Sequence, residues 1–134
     1  MPEPSDTTLD GPDFASLYEP LANPVFDEIV RGEIAQGADA GARARDYVDR
    51  GKPEFVLAFL LLSELPEAEK RELFAQAHEQ RAINTERRAK EFDRKFHRPF
   101  PLLNADATHD RATARAIRAG KPIERGAGRQ LPLM

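Results

Sequence analysis

The chain has 134 residues, no Cys, no Trp and a formal net charge of −3. This length corresponds to one domain, and without Cys there is neither a disulfide nor a thiolate-bound metal. The longest apolar run, 55–62, has eight residues, whereas a membrane-spanning helix needs about 20. Because the N-terminus also lacks the basic and apolar stretches of a secretory signal, we expect a soluble cytoplasmic protein.

Charge is unevenly distributed along the chain. Residues 1–39 carry nine acids and one base, a net charge of −8, whereas residues 40–134 carry a net charge of +5. Such asymmetry is typical of a tail that binds a partner or nucleic acid. It is equally typical of acidic and basic ends that pair with each other, within one chain or between two.

The first part of the chain predicts a disordered segment and three amphipathic helices. Residues 1–11 are rich in Pro, Asp and Thr, and Leu9 is the one apolar residue after Met1, too little to offset the entropy of ordering. Apolar residues then recur at helical spacing, each time after a residue that can cap a helix. We predict helices over 13–21, 24–36 and 40–50, capped by Asp13, Asn23 and Asp39.

The segment 53–64 predicts a fourth helix that is apolar on every side. Helices of this kind normally lie at the centre of a bundle. A strand is the alternative for a short apolar run. We reject it because Val56 is the only β-branched residue in the run 55–62 and no other strand is predicted to pair with it.

The longest predicted helix spans about 66–97 and would be roughly 45 Å long. Acids at its start and bases at its end suit the helix dipole, and Pro99 and Pro101 end it. Beyond it, we expect residues 100–103 to be extended and to pack back on the bundle. A last helix is predicted from Asp106 or Thr108 to Ala119.

Together these elements predict an all-α protein, a compact bundle of five or six helices. A helical domain over 12–119 follows the disordered segment 1–11 and precedes a flexible C-terminal tail, 120–134. The long helix exceeds the roughly 28 Å diameter of a globule of this size, estimated from its radius of gyration. We therefore expect it to extend past the bundle and to pack against something else.

One face of the long helix is apolar at both ends and polar between them. The polar part contains His78, Arg81, Thr85 and Arg88, and Arg is well suited to binding oxyanions. Three interpretations stay open: the residues face solvent, they pair with acids at 27, 28 and 33 of the second helix, or they form an anion-binding site. Ile83 lies on the opposite side and suggests a second contact.

A basic segment near the C-terminus is a candidate nucleic-acid site. Its cations are Arg111, Arg115, Arg118, Lys121, Arg125 and Arg129. The first three share one helical face and could follow a phosphate backbone. Against this interpretation, no aromatic residue follows Phe100, so bases have nothing to stack on there.

Catalytic and metal-binding motifs are not found in the sequence. His78 and Glu79 begin a zinc-protease pattern, but position 82 is Ala where the second His is required. Asp106 and His109 lie three residues apart, yet two ligands are too few for a metal site. We therefore predict no enzyme activity, no cofactor and no metal.

These observations favour a non-enzymatic interaction or structural protein that self-associates through its long helix or joins a larger assembly. A nucleic-acid-associated regulator using residues 111–129 is the first alternative. An anion-binding site on the long helix is the second. We expect no membrane binding, because the apolar helix 53–65 has no basic polar face.

Overall fold

The computed structural model describes residues 13–123, which form six α-helices and no strand. A 3₁₀ turn, Glu19–Leu21, follows the first helix. The helices are α1 (Phe14–Tyr18), α2 (Pro24–Ala35), α3 (Ala40–Asp49), α4 (Pro53–Leu62), α5 (Glu67–Phe96) and α6 (Pro101–Arg118). The all-α prediction is thus confirmed. The segment 1–11 and the tail beyond Ile123 lie outside the described residues.

The three predicted caps are present where the sequence placed them. The side chains of Asp13, Asn23 and Asp39 each accept a hydrogen bond of 2.8 Å from a backbone N–H in the first turn of α1, α2 and α3. Such a cap contributes about 1 kcal/mol to the stability of a helix. Local sequence therefore determines where these helices begin.

Helix α4 lies at the centre of the bundle, as its apolar surface predicts. Its residues 56–60 are all buried, and α2, α3 and α5 pack around it. Tyr47 of α3 stacks on Phe55 and Phe59 of α4, at 4.7 and 5.7 Å between ring centroids. Burying side chains of this size stabilises the fold by roughly 1.5–3 kcal/mol each.

A second part of the core joins the two ends of the described chain. Phe14 and Tyr18 of α1 pack edge-on against Phe74 of α5, at 5.7 and 5.4 Å. The Tyr18 hydroxyl donates a 2.8 Å hydrogen bond to the carbonyl of Lys121, and Ile123 packs against the core. Lys121 and Ile123, at the start of the predicted tail 120–134, therefore contact the bundle.

Helices α5 and α6 form a long antiparallel hairpin, the most extensive helix pair in the described chain. Helix α5 is continuous from Glu67 to Phe96 and ends at His97, whose φ of 58° is left-handed. This conformation reverses the chain direction, so that α6 returns along α5. The partner predicted for the overhanging helix is thus α6 of the same chain, at least along one face.

The start of the last helix is the main error of the sequence prediction. Residues 101–103 are helical rather than extended, and α6 begins at Pro101 instead of Asp106 or Thr108. Proline disrupts a helix interior but suits its first turn, where no N–H bond is required. Pro101 therefore begins a helix instead of ending one.

No helix among residues 13–123 is long and apolar enough to span a membrane.

Candidate functional site

A buried carboxylate lies between α5 and α6, against two members of the predicted anion site. Asp110 of α6 is 3% exposed. Its Oδ2 accepts a 2.9 Å bond from Arg81 Nε, and its Oδ1 accepts one of 2.9 Å from Arg81 Nη2 and one of 2.8 Å from His78 Nδ1. Arg81 Nη1 also donates to Glu54 of α4 at 3.0 Å. The anion that His78 and Arg81 bind in this structure is therefore a side chain of the protein itself.

The protonation states of this cluster follow from burial and from its hydrogen bonds. Burial lowers the pKa of His78, against the opposing effect of Asp110. Burial alone would raise the pKa of Asp110, but the bonds from His78 and Arg81 outweigh it and keep that pKa low. At neutral pH His78 is therefore neutral, and its Nδ1 carries the proton because a carboxylate can only accept.

The other two predicted anion-site residues line a cavity of about 360 Å³ beside this cluster. Thr85 is buried, at 8% exposed, whereas Arg88 is exposed. Three elements form the walls of the cavity: helix α5, the first half of α6, and the turn that joins α3 to α4. The structure thus binds His78 and Arg81 to Asp110, while Thr85 and Arg88 border the cavity together with Arg81.

The wall of the cavity formed by the α3–α4 turn is closely packed on α5. Gly51 has a φ of +68°, and a Cβ there would lie 2.9 Å from Asn84 Nδ2 and 3.0 Å from the backbone N of Arg81. Asn84 Nδ2 donates a 3.5 Å bond to the carbonyl of Arg50. Only glycine meets both the conformation and the space at this position.

The acids of α2 do not pair with the long helix as one interpretation proposed. Asp27 binds Arg31 within α2 at 2.9 Å, and Glu33 binds Arg43 of α3 at 2.6 Å. The partners of Arg81 are Asp110 and Glu54 instead. The interpretation that α2 neutralises Arg81 is therefore wrong.

Two cations of the predicted nucleic-acid stripe are paired with acids of α5. Arg111 binds Glu86 at 2.6 Å. Arg118 donates to Glu72 at 2.8 Å and also binds Glu79. Arg115 and Lys121 are exposed, while Arg125 and Arg129 lie outside the described residues. The face predicted to follow a phosphate backbone is therefore partly neutralised.

Sequence reasoning missed Asp110, the centre of the buried cluster. A signal for it is present in α6, where Asp110 falls on the same stripe as Ala107, Ala114 and Ile117, all buried. A charged residue at a core position of an amphipathic helix indicates a buried partner of opposite charge. Its two partners, His78 and Arg81, are both predicted site residues, but the distance between α5 and α6 cannot be deduced from helical spacing.

The far end of the hairpin exposes apolar and basic side chains together. We call residues 94–105 the hairpin tip; they include three bases, Arg94, Lys95 and Arg98, and no acid. Phe96 is 53% and Leu102 is 69% exposed. Large apolar side chains clustered at the surface are typical of an interaction site.

A second surface with the opposite charge lies on α2. Val25 and Ile29, one turn apart, are 63% and 45% exposed, and we call them, with the neighbouring Glu28, the outer face of α2. Residues 13–39 around this face carry six acids and one base. Of the five exposed large apolar side chains in residues 13–123, four lie on these two surfaces, and the fifth is Ile83.

Residues 13–123 contain no group of three or more His, Asp or Glu side chains that could hold a metal ion. Asp106 and His109 do border the same cavity, but they remain two ligands. The chain matches no protein-family model, no curated protein and no solved structure.

Proposed function

We propose that this chain is a non-enzymatic interaction protein that self-associates, with the hairpin tip of one copy binding the outer face of α2 of another. The observation that carries this proposal is that one chain has two exposed apolar surfaces, one with basic and one with acidic surroundings. The tip presents Phe96 and Leu102 among bases, and α2 presents Val25 and Ile29 among acids. A cytoplasmic location stays a prediction.

A second copy is the partner that this chemistry fits. Opposite charges steer the two surfaces together and fix their orientation, while burial of the apolar side chains supplies most of the free energy. Because the two surfaces differ, the contact is heterologous: two copies close a dimer if each tip reaches the other's α2, and otherwise the contacts continue into a larger assembly.

The test measures the solution mass by light scattering after size exclusion, at 50 mM and 500 mM NaCl. We expect an oligomer at low salt that weakens at high salt, since exposed charges are screened. Leu102→Ser should weaken self-association about tenfold, a loss of about 1.4 kcal/mol, because it removes an apolar side chain from the contact. Ile83→Ser is the matched control, since Ile83 is exposed but lies on neither surface, and it should leave the mass unchanged.

A mixing experiment tests the heterologous contact itself. Leu102→Ser damages the tip and Val25→Ser damages α2, so each variant alone should be largely monomeric. Their mixture retains one intact contact, from the tip of the α2 variant to the α2 of the tip variant, and should recover dimer. A monomer at both salt concentrations, or a mixture no more associated than its components, would overturn the proposal.

A further inference from the structure

We propose that the cavity between the α3–α4 turn, α5 and α6 binds a small phosphate monoester. This site lies midway along the hairpin and shares only Leu103 with the hairpin tip, so it does not depend on the proposed self-association. Its volume of about 360 Å³ falls in the lower part of the range for small-molecule sites, about 300–1,000 Å³.

The lining of the cavity carries a positive charge that the residues in the described range 13–123 do not fully neutralise. Four bases and two acids border it, which leaves a net charge of +2 with His109 neutral. The charge of Arg81 is balanced by Asp110, to which it donates two bonds of 2.9 Å, and Arg81 also binds Glu54, which lies outside the lining. Lys52 and Arg88 form no ion pair with any residue in the range 13–123. A dianion would therefore balance the lining.

A buried hydroxyl that is unpaired among residues 13–123 also borders the cavity. Thr85 is 8% exposed, and its side chain makes no hydrogen bond to residues 13–123. Buried polar groups are nearly always hydrogen-bonded, because a buried group that is left unpaired has lost its bond to water without a replacement. A ligand in the cavity would supply the partner that Thr85 lacks.

The donor set identifies the class of ligand. An Arg guanidinium binds two oxygens of a phosphate at once, a Lys ammonium adds a point charge, and a Thr hydroxyl donates one further bond. Arg50 lies at the same cavity with its guanidinium 5.0 Å from the Tyr47 ring, where it has no acid partner among the described residues. Several donors and a net charge of +2 fit a phosphate group better than a monoanionic carboxylate.

The remaining volume fits the organic part of a small ester. Asn84 and His109 border the cavity and can bind hydroxyl groups, since both carry donor and acceptor atoms. The turn at Gly51 packs against α5 with no room for a Cβ, so this wall is rigid before a ligand arrives. A preformed wall lowers the entropic cost of binding.

The experiment follows thermal unfolding and the ¹H–¹⁵N amide spectrum of the full chain, at one protein concentration and constant ionic strength. The probes are inorganic phosphate and glycerol 3-phosphate, with glycerol and acetate as comparison compounds. We expect saturable stabilisation by both phosphates, a Tm rise of roughly 4 °C at tenfold excess over Kd. Amide shifts should centre on residues 50–52 and 84–88. Glycerol should have no effect, and acetate should bind at least tenfold more weakly than phosphate.

Three variants test which side chains bind the ligand. Arg88→Ala should weaken phosphate binding at least tenfold, whereas Arg87→Ala, an exposed neighbour that does not border the cavity, should leave it unchanged. Thr85→Val keeps the side-chain shape but removes the hydroxyl, and should weaken binding several-fold without loss of the fold. Equal effects of Arg87→Ala and Arg88→Ala, acetate binding as tightly as phosphate, or amide shifts elsewhere on the surface would overturn the proposal.

Discussion

Replacing Asp110 by Asn tests whether the buried charge cluster stabilises the joint between α5 and α6. Asn has the same shape but no charge, so the guanidinium of Arg81 loses its main counter-ion. Removing one partner of a buried ion pair costs about 3–5 kcal/mol. Arg81 keeps its 3.0 Å bond to Glu54, and its side chain is 34% exposed, which reduces the cost. We therefore expect a loss of about 3 kcal/mol in the free energy of unfolding.

The measurement is urea unfolding followed by far-ultraviolet circular dichroism. The midpoint should fall with little change in slope, and the Tm should fall by roughly 12 °C for a domain of this size. Glu86→Gln is the matched control, because its ion pair with Arg111 is exposed on both sides, at 40% and 41%. Such pairs contribute at most about 1 kcal/mol. Equal losses for the two variants would refute the argument that burial makes the Asp110 cluster important.

A double variant distinguishes loss of the ion pair from loss of packing. Asp110→Leu combined with Arg81→Met removes both charges and keeps apolar volume at the joint. Buried ion pairs replaced as a unit by apolar residues often keep their stability or gain it. We expect the double variant to be more stable than Asp110→Asn. A double variant that is less stable would show that the cluster acts through more than charge balance.

Two further predictions concern pH and a single glycine. The lowered pKa of His78 means that the unfolded chain binds a proton that the folded chain does not. Stability should therefore fall as the pH drops below about 6.5, the pKa of histidine in the unfolded chain. His78→Gln should remove this decline when the free energy of unfolding is measured against pH. The lowered pKa of Asp110 should produce a separate loss below about pH 4, which Asp110→Asn should reduce. Gly51→Ala should destabilise the chain by more than about 1 kcal/mol, since Ala tolerates neither the φ of +68° nor the 2.9 Å approach of Asn84. The reference is Gly32→Ala, because a Cβ added at Gly32 meets no atom within 4 Å. Equal losses of stability for the two variants would contradict the reasoning.

The helices that were predicted well are those whose signals are local. A cap such as Asp39 acts on the N–H of Ala42, three residues away, at 2.8 Å. The apolar run of α4 likewise indicates a buried segment, and the absence of a second predicted strand identifies it as a helix. Neither signal depends on how the helices are arranged in space.

The errors occur where one local signal has two meanings. A proline such as Pro101 can mark the end of the preceding helix or stand in the first turn of the next one. The correct interpretation depends on whether the chain reverses direction between the two helices. The reversal occurs at His97, whose φ of 58° is uncommon for a residue other than glycine. The sequence marks a break between 97 and 101 but does not say where the next helix starts.

The candidate sites likewise combine features that local sequence predicts with features that depend on how the helices pack. Helical spacing alone put His78, Arg81, Thr85 and Arg88 on one face of α5, because a helix repeats every 3.6 residues. Only the packing of α6 on α5 decided that Asp110 binds His78 and Arg81 and that Thr85 and Arg88 border a cavity. The amino-acid sequence determines which side chains share a face, since that is a property of one helix. The pairing of charged side chains between helices, and the surfaces that stay exposed, depend on distances between helices. Only the tertiary structure sets those distances.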